Sequence, residues 1–565
     1  MTTEILFDHF HQLITRAEDI PRLNELILQL AVRGKLVPQD PADEPACELL
    51  KHIAAEKVRL VKEKKIRKSQ KLPPIDADEI PFGLPSGWEW VRLPEIYHDC
   101  GQTKPNKQFT YIDVSSINNT IGVIGDDLQV IEPTNAPSRA RKLVGKGTVI
   151  YSTVRPYLLN VAIVDREFDP PPIVSTAFAV MHPFEGVDKR FLFFYLRSKP
   201  FIEFVESQMT GMAYPAISDS KLAKGLFPLP PLAEQQRIVE RVEQLLDQSR
   251  ALEAELAAAE AERATLTQAS LHHLTVAPNP AALSEQWQQL ASIFDTLLTD
   301  PAAVADLKQA ILQLAVQGRL VEQDPTDEPA GELLKRIAVE KKRLAETETF
   351  RKSKPLPQIN KDKIPFDLPP GWEWTKIDQV CLESFYGPRF GKNEYVKNGI
   401  PTIRTTDMTI NGEIVLKDPP QVKFSEEKLD NFRLKNNDLL ITRTGSIGVM
   451  AIFRGDYLAI PSAYLIRFRF SSYLSIDFVY SYLKSPLGQE YMGLKTTKTT
   501  QPNINAQSIR NIPIPLPPLA EQQRIVERVE QLLALCDDLQ AQLAAGETAR
   551  VRLLESLLWQ AGGRN

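Results

Sequence analysis

Three short stretches carry residue types that could act on nucleotides. Asp169-Pro170-Pro171 approaches the Asn-Pro-Pro-aromatic motif with which an amino-methyltransferase holds a flipped adenine, but it lacks both the Asn and the aromatic. Phe385-Tyr386-Gly387-Pro388-Arg389 begins like a glycine-rich cofactor loop and then places Arg389 where a small residue is needed. Gly145-Lys146-Gly147-Thr148 resembles a phosphate loop without the upstream glycine or the Gly-Lys-Thr adjacency that loop requires. No Pro-Asp followed by Glu-x-Lys suggests a nuclease. His272-His273 reads as a solvated pair at a helix end, and Cys47, Cys100, Cys381 and Cys536 form no CxxC pair, so free thiols are expected rather than disulfides or a zinc site. No catalytic residue and no metal ligand is therefore expected in this chain, and a methyltransferase lacking the usual motifs is the least favoured alternative.

A second set of residues could bind rather than transform. Reading a base edge needs Arg or Lys for guanine, Asn or Gln for adenine, and hydroxyl side chains in mixed roles, on loops that reach the major groove. Between residues 88 and 227 the candidates are Lys104, Lys107, Ser152, Arg155, Tyr157, Tyr214 and Lys221. Between 372 and 514 they are Arg389, Lys392, Arg404, Arg443, Thr444, Lys498, Gln501, Asn503 and Asn505. The polar, cationic, non-periodic run Lys495 to Gln501 is the strongest single stretch. Lysines suit phosphate anchoring more than readout.

The elements that would position these residues occur twice. Residues 27–51, ILQLAVRGKLVPQDPADEPACELLK, return at 311–335 as ILQLAVQGRLVEQDPTDEPAGELLK, a shift of 284 that also carries Gly87-Trp88-Glu89-Trp90 onto Gly371-Trp372-Glu373-Trp374. The block PLPPLAEQQRIVERVEQLL stands at 228–246 and again at 515–533, a shift of 287. The chain is a tandem duplication. Between the repeats the polar residues diverge while an apolar skeleton persists, as in Tyr214-Pro215-Ala216-Ile217-Ser218 against Gln501-Pro502-Asn503-Ile504-Asn505. One fold with two different surfaces is what two readers of different sequences would need.

After Pro231 the positions Ile238, Val242, Leu245, Leu252, Leu256, Ala259 and Leu266 recur at the period of a coiled-coil seam, and Ile525, Val529, Leu532, Cys536, Leu539 and Leu543 repeat it. Two long helices of about 40 residues, about 60 Å each, are predicted. Leu246, Leu266 and Leu533 are candidate outward residues for partner helices. Strands are predicted at 147–151, 161–164, 438–441 and 464–468, helices at 188–207 and 475–491, and extended linkers at 72–85 and 355–370. The expected divisions are 1–87, 88–231, 232–371, 372–518 and 519–565. The fold class is mixed α/β: two α+β domains separated by long antiparallel coiled-coil-like helices, an internal duplication with pseudo-twofold symmetry.

With 67 Lys and Arg against 72 Asp and Glu the net charge is −5. The segments 88–227 and 372–514 together carry +4, leaving −9 for the remainder, which permits two neutral-to-basic surfaces on an acidic scaffold. The beginning of the chain has no apolar leader-like stretch and no segment is long and apolar enough to span a bilayer, so a cytoplasmic protein is expected.

The Gly-Trp-Glu-Trp and Pro-Leu-Pro-Pro-Leu-Ala-Glu-Gln-Gln-Arg-Ile-Val blocks, both duplicated at domain-length spacing, resemble the specificity (S) subunits of type I restriction-modification enzymes over nearly the whole chain. The resemblance implies two target-recognition domains, each reading half of a bipartite, asymmetric sequence in double-stranded DNA, with helices that set the gap. It also implies two methyltransferase (M) subunits and two restriction-motor (R) subunits as partners, with S-adenosylmethionine, ATP and Mg in those partners and no cofactor here. The alternative from another class is a duplicated adaptor whose domains bind protein.

Overall fold

The computed structural model describes residues 14–67, 72–211, 215–346, 359, 364–423, 425–444, 448–494 and 503–562. Tyr214, Lys498 and Gln501 lie outside them, as does most of the linker before Pro365. The chain divides into two compact units, residues 1–260 with 549–565 and residues 261–548.

In the first unit the helices Ile20–Val32 and Ala46–Lys62 precede a short antiparallel ladder, Glu89–Arg92 on Leu226–Leu229, which brings the two ends of the domain together. Between those strands lie two four-stranded sheets. One has the order Tyr97–His98, Phe178–Pro183, Val149–Ser152, Val161–Ile163 and the other Gln129–Ile131, Phe109–Ile112, Pro172–Ser175, Ala140–Leu143. The main core joins the N-terminal helices, the first of these sheets and the long helix through Leu30, Trp88, Tyr151, Phe191, Phe227 and Ile238. In that core Val149 and Tyr151, Val161 and Ile163, and Ala179 and Met181 alternate along their strands while Leu23, Leu26, Ile27 and Leu30 recur at helical spacing, so one face of each element enters it.

The second unit repeats the plan. Glu373–Lys376 pairs with Pro513–Leu516, and a sheet of order Cys381–Tyr386, Leu465–Phe470, Leu439–Thr442, Met450–Ile452 matches the first unit strand for strand. The second sheets also correspond: Phe109–Ile112 runs parallel to Pro172–Ser175, and Tyr395–Ile403 runs parallel to Ile460–Pro461. The duplication thus extends into the strands that lie between the repeated blocks.

The strand expectations fall on observed strands, with ends shifted by no more than two residues. The helices expected at 188–207 and 475–491 are each broken into two, Lys189–Leu196 with Lys199–Gln208 and Ile476–Lys484 with Pro486–Leu494. Pro200 and Pro486 sit at the starts of the second pieces, where a missing N–H is tolerated, and Ser198 and Ser485 turn their hydroxyls back to Tyr195 O and Tyr482 O at 2.7 Å.

The long helices are Leu232–Val276 and Leu519–Gly562, 45 and 44 residues. The first gives its beginning to the first unit and its end to the second, and the other does the reverse. The predicted seam holds through Leu256 and then drifts. Ala259 and Leu266 are exposed, while Thr267, Leu271 and Leu274 turn inward, because a straight helix of 3.6 residues per turn slips against a 3.5-residue repeat. Leu246 and Leu533 pack half-buried against the domain cores rather than pointing outward.

Candidate nucleic-acid interface

Each domain is held by the same buried polar clasp. The Trp88 indole N–H donates to Glu234 Oε2 at 2.9 Å, and Trp372 donates to Glu521 Oε2 at 2.9 Å. Gln39 and Gln323 donate to the other oxygens of these carboxylates at 2.7 and 3.1 Å. Gln235 and Gln522, both fully buried, donate to Pro230 O and Pro517 O at 3.0 and 2.9 Å and accept from Asp188 N and Ser475 N at 2.7 and 3.0 Å. Arg237 pairs with Asp43 and Arg524 with Asp327 through two hydrogen bonds each. Burial pushes the Glu234 and Glu521 carboxyls above the usual carboxylate range, against the pull of the indole and amide donors. Gly34 and Gly318 have positive φ, and a Cβ on either would stand 2.9 Å from the ring of Trp88 or Trp372. The repeated sequence blocks are therefore the parts that fix a frame; the loops above it are free to differ.

In the first unit the chain leaving strand Val149–Ser152 is clipped to the segment before helix Asp219–Leu222. Val154 bridges Ala216, Ile217 N donates to Thr153 O at 2.9 Å, and Arg155 N donates to Pro215 O at 2.8 Å. The second unit has the same clip: Thr444 bridges Asn503 and Ile504 N donates to Arg443 O at 2.9 Å. Val154 and Ala216 thus occupy the places of Thr444 and Asn503. Arg155 and Leu159 take left-handed backbone, φ 47° and 54°, on either side of the turn Pro156–Leu158, whose Tyr157 is 43% exposed. In the second unit the Arg443 guanidinium lies 4.7 Å above the Tyr386 ring, and Tyr386 Oη accepts Ala506 N–H at 2.9 Å.

The model of the type I restriction modification DNA specificity domain matches residues 85–261 and again 369–546, once over each of these clasped domains. The chain belongs to the type I restriction-modification specificity-subunit family. It is 32% identical over 560 residues to the EcoEI specificity subunit of Escherichia coli and 33% identical over 563 residues to the EcoAI specificity subunit of the same organism. Each alignment spans 95% of this chain and 93% of the relative. A solved chain of a type I R-M system superposes with a TM-score of 0.51 at 25% identity, covering 85% of this chain and 99% of that one. The chain is a specificity subunit with two target-recognition domains.

Within the target-recognition domains the structure brings Val154 and Arg155 together with Pro215 and Ala216, with Tyr157 exposed in the turn just beyond, and Arg443 and Thr444 together with Asn503 and Ile504. Lys104 and Lys107 are exposed before strand Phe109–Ile112, and Arg389 and Lys392 are exposed after strand Cys381–Tyr386. Four candidates are engaged within their own domain. Ser152 is buried and donates to Val154 O at 2.8 Å; Lys221 donates to Gln208 O at 2.8 Å. Arg404 makes two bonds to the buried Asp407, at 3.1 and 2.8 Å, and a third to Asp418 O. Asn505 caps helix Ala506–Arg510 by accepting Ser508 N–H at 2.8 Å, the role that Ser218 plays in the first domain. The sequence reading placed Tyr386 only in a failed cofactor loop; its position under Arg443 follows from strand pairing, for which its own stretch carries no signal. Of the candidate partner residues, Leu266 is exposed on the long helix. Among the described residues there is no group of three or more His, Cys, Asp or Glu that could hold a metal.

Proposed function

We propose that the first target-recognition domain reads one half of a bipartite, asymmetric double-stranded DNA sequence, the second reads the other half, and the long helices fix the gap between them. One observation carries this reading. The same Trp–Glu–Gln clasp holds the same frame twice, while the clipped loops it presents differ, Val154-Arg155-Pro156-Tyr157 in one and Arg443-Thr444 with Asn503 in the other. The proposed base-reading groups are Arg155, Tyr157 and Tyr214 in the first domain and Arg443, Thr444, Gln501 and Asn503 in the second, with Lys104, Lys107, Arg389, Lys392 and Lys498 as anchors to phosphate.

In this reading the chain is the non-catalytic reader of a complex with two methyltransferase (M) and two restriction-motor (R) subunits. S-adenosylmethionine, ATP and Mg serve those partners, and the complex works in the cytoplasm. Among the described residues no helix is long and apolar enough to cross a membrane. The test is single-molecule methylation mapping of DNA from cells that express the chain with the methyltransferase subunit encoded beside it, and from cells that express either alone. N6-methyladenine confined to one gapped, two-part motif, and only with both chains present, is expected. A soluble, co-purifying complex that leaves no new methylation would favour the protein-binding adaptor.

A further inference from the structure

Each target-recognition domain carries a second loop device that the sequence comparison of the two copies does not align. In the first domain Asn118 pairs with Val123 across a turn closed by Gly122 N donating to Asn118 O at 2.8 Å. Gly122 has φ +69° and rests on Phe193 so closely that a Cβ there would stand 2.4 Å from the ring. Just past the end of the helix Lys189–Leu196 that carries Phe193, the half-buried Arg197 lies over Phe193 at 5.4 Å and donates to Asn119 O and Thr120 O at 2.9 and 3.0 Å. In the second domain Met408 bridges Ile414 around a turn closed by Gly412 N on Thr409 O at 3.1 Å. Gly412, φ +85°, rests on Tyr480 with no room for a Cβ, and Lys484 lies over Tyr480 at 5.6 Å and donates to Ile410 O at 2.5 Å. Phe193 and Arg197 map onto Tyr480 and Lys484 at the same shift of 287 that relates the long helices.

Both devices present the same thing. The tip of each turn is an exposed isoleucine, Ile121 at 49% and Ile410 at 84%. A cation takes up the tip carbonyls and a glycine seated on an aromatic ring leaves the turn little freedom, so the order needed for binding is already in place. In the first domain Arg197 also donates to Leu159 O at 3.2 Å and Asn119 Nδ2 to Leu158 O at 2.8 Å, tying this turn to the loop that carries Arg155 and Tyr157. The turn is thus continuous with the surface assigned to DNA above.

We infer that the two clamped turns are part of the DNA-reading surface: Ile121 and Ile410 meet the apolar edge of a base pair, such as a thymine methyl, and Arg197 and Lys484 are positioning residues that hold them there. This rests on the DNA-reading role proposed above. It is tested in the complete complex by methylation mapping of wild type, Ile121→Ala, Ile410→Ala and Arg197→Met, with the Tm of each chain measured alongside. Both isoleucines are exposed, so their alanine variants should keep the wild-type Tm. Each should relax discrimination by about tenfold at one position of one half-site, leaving the other half unchanged. Arg197→Met should relax the same half-site as Ile121→Ala; a merely structural arginine would lower methylation overall without altering the motif. If wild type yields a two-part motif and both isoleucine variants reproduce it with full discrimination, or if they lose methyltransferase binding at unchanged DNA affinity, the inference is wrong. If wild type yields no two-part motif, the DNA-reading role itself fails.

Discussion

The indole of Trp88 and the carboxylate of Glu234, 146 residues apart, meet in a buried hydrogen bond of 2.9 Å that closes the first target-recognition domain onto the long helix. Glu234 is 1% exposed, so an oxygen that loses its donor there has no water to replace it. Trp88→Phe should destabilise the first unit by about 1–3 kcal/mol, read as a lower thermal midpoint. Glu234→Gln keeps an acceptor for the indole and should cost less. Equal stability of wild type and Trp88→Phe would show that the bond is incidental.

Arg92 and Glu79 supply a pH dependence of known sign. Arg92 is buried and grips the Glu79 carboxylate with both Nη atoms, at 2.6 and 2.7 Å, which holds the Glu79 carboxyl down to about 2. A carboxyl whose folded pKa is depressed contributes stability that is full above its unfolded pKa and is lost as the pH falls toward the folded value. Glu79 is partly exposed, so the effect is screened to about 1 kcal/mol. The advantage of wild type over Glu79→Gln in thermal midpoint should be largest at neutral pH and shrink steadily below about pH 4.5. The buried Glu234 and Glu521 act in the opposite sense, since their raised carboxyls lose stability as the pH rises through their folded values. A wild-type advantage that grows on acidification would contradict the assignment to the Arg92–Glu79 pair.

Asn505 and Ser218 differ chemically and do the same work, accepting a backbone N–H at the start of equivalent helices. Asn505→Ser should therefore leave both the methylation motif and the thermal midpoint nearly unchanged. Asn505→Ala should lose about 1 kcal/mol through the missing cap. A changed second half-site in Asn505→Ser would assign the side chain to base reading after all.

What was legible in the sequence was the frame. Trp88, Glu234 and Gln235 and their counterparts Trp372, Glu521 and Gln522 are buried polar groups with fixed partners, and such groups tolerate no substitution that leaves a partner unsatisfied, so both copies keep them in register. The loops were less legible because their lengths differ. The turn bearing Ile121 reads Thr-Ile-Gly and that bearing Ile410 reads Thr-Ile-Asn-Gly, and Val154 corresponds to Thr444 at a shift of 290 rather than 287. A constant shift cannot see either match. Side-chain type alone does not show a second use: Ser152, Arg404 and Asn505 have the groups that read bases, and the fold engages those groups with its own carbonyls, carboxylates and helix caps. Leu246 and Leu533 were mistaken for outward residues because helical phase, not hydrophobicity, decides which face a leucine shows.

The most direct test of two independent readers in one frame is to replace residues 88–227 with the corresponding domain of a family member of different specificity and map methylation in the complete complex. The joints fall at Trp88 and just before the block containing Glu234, so the clasp is rebuilt from matching parts. The expected result is a motif with one new half-site, the other half-site unchanged and the same gap. A motif altered in both halves, or methylation without a motif, would contradict it.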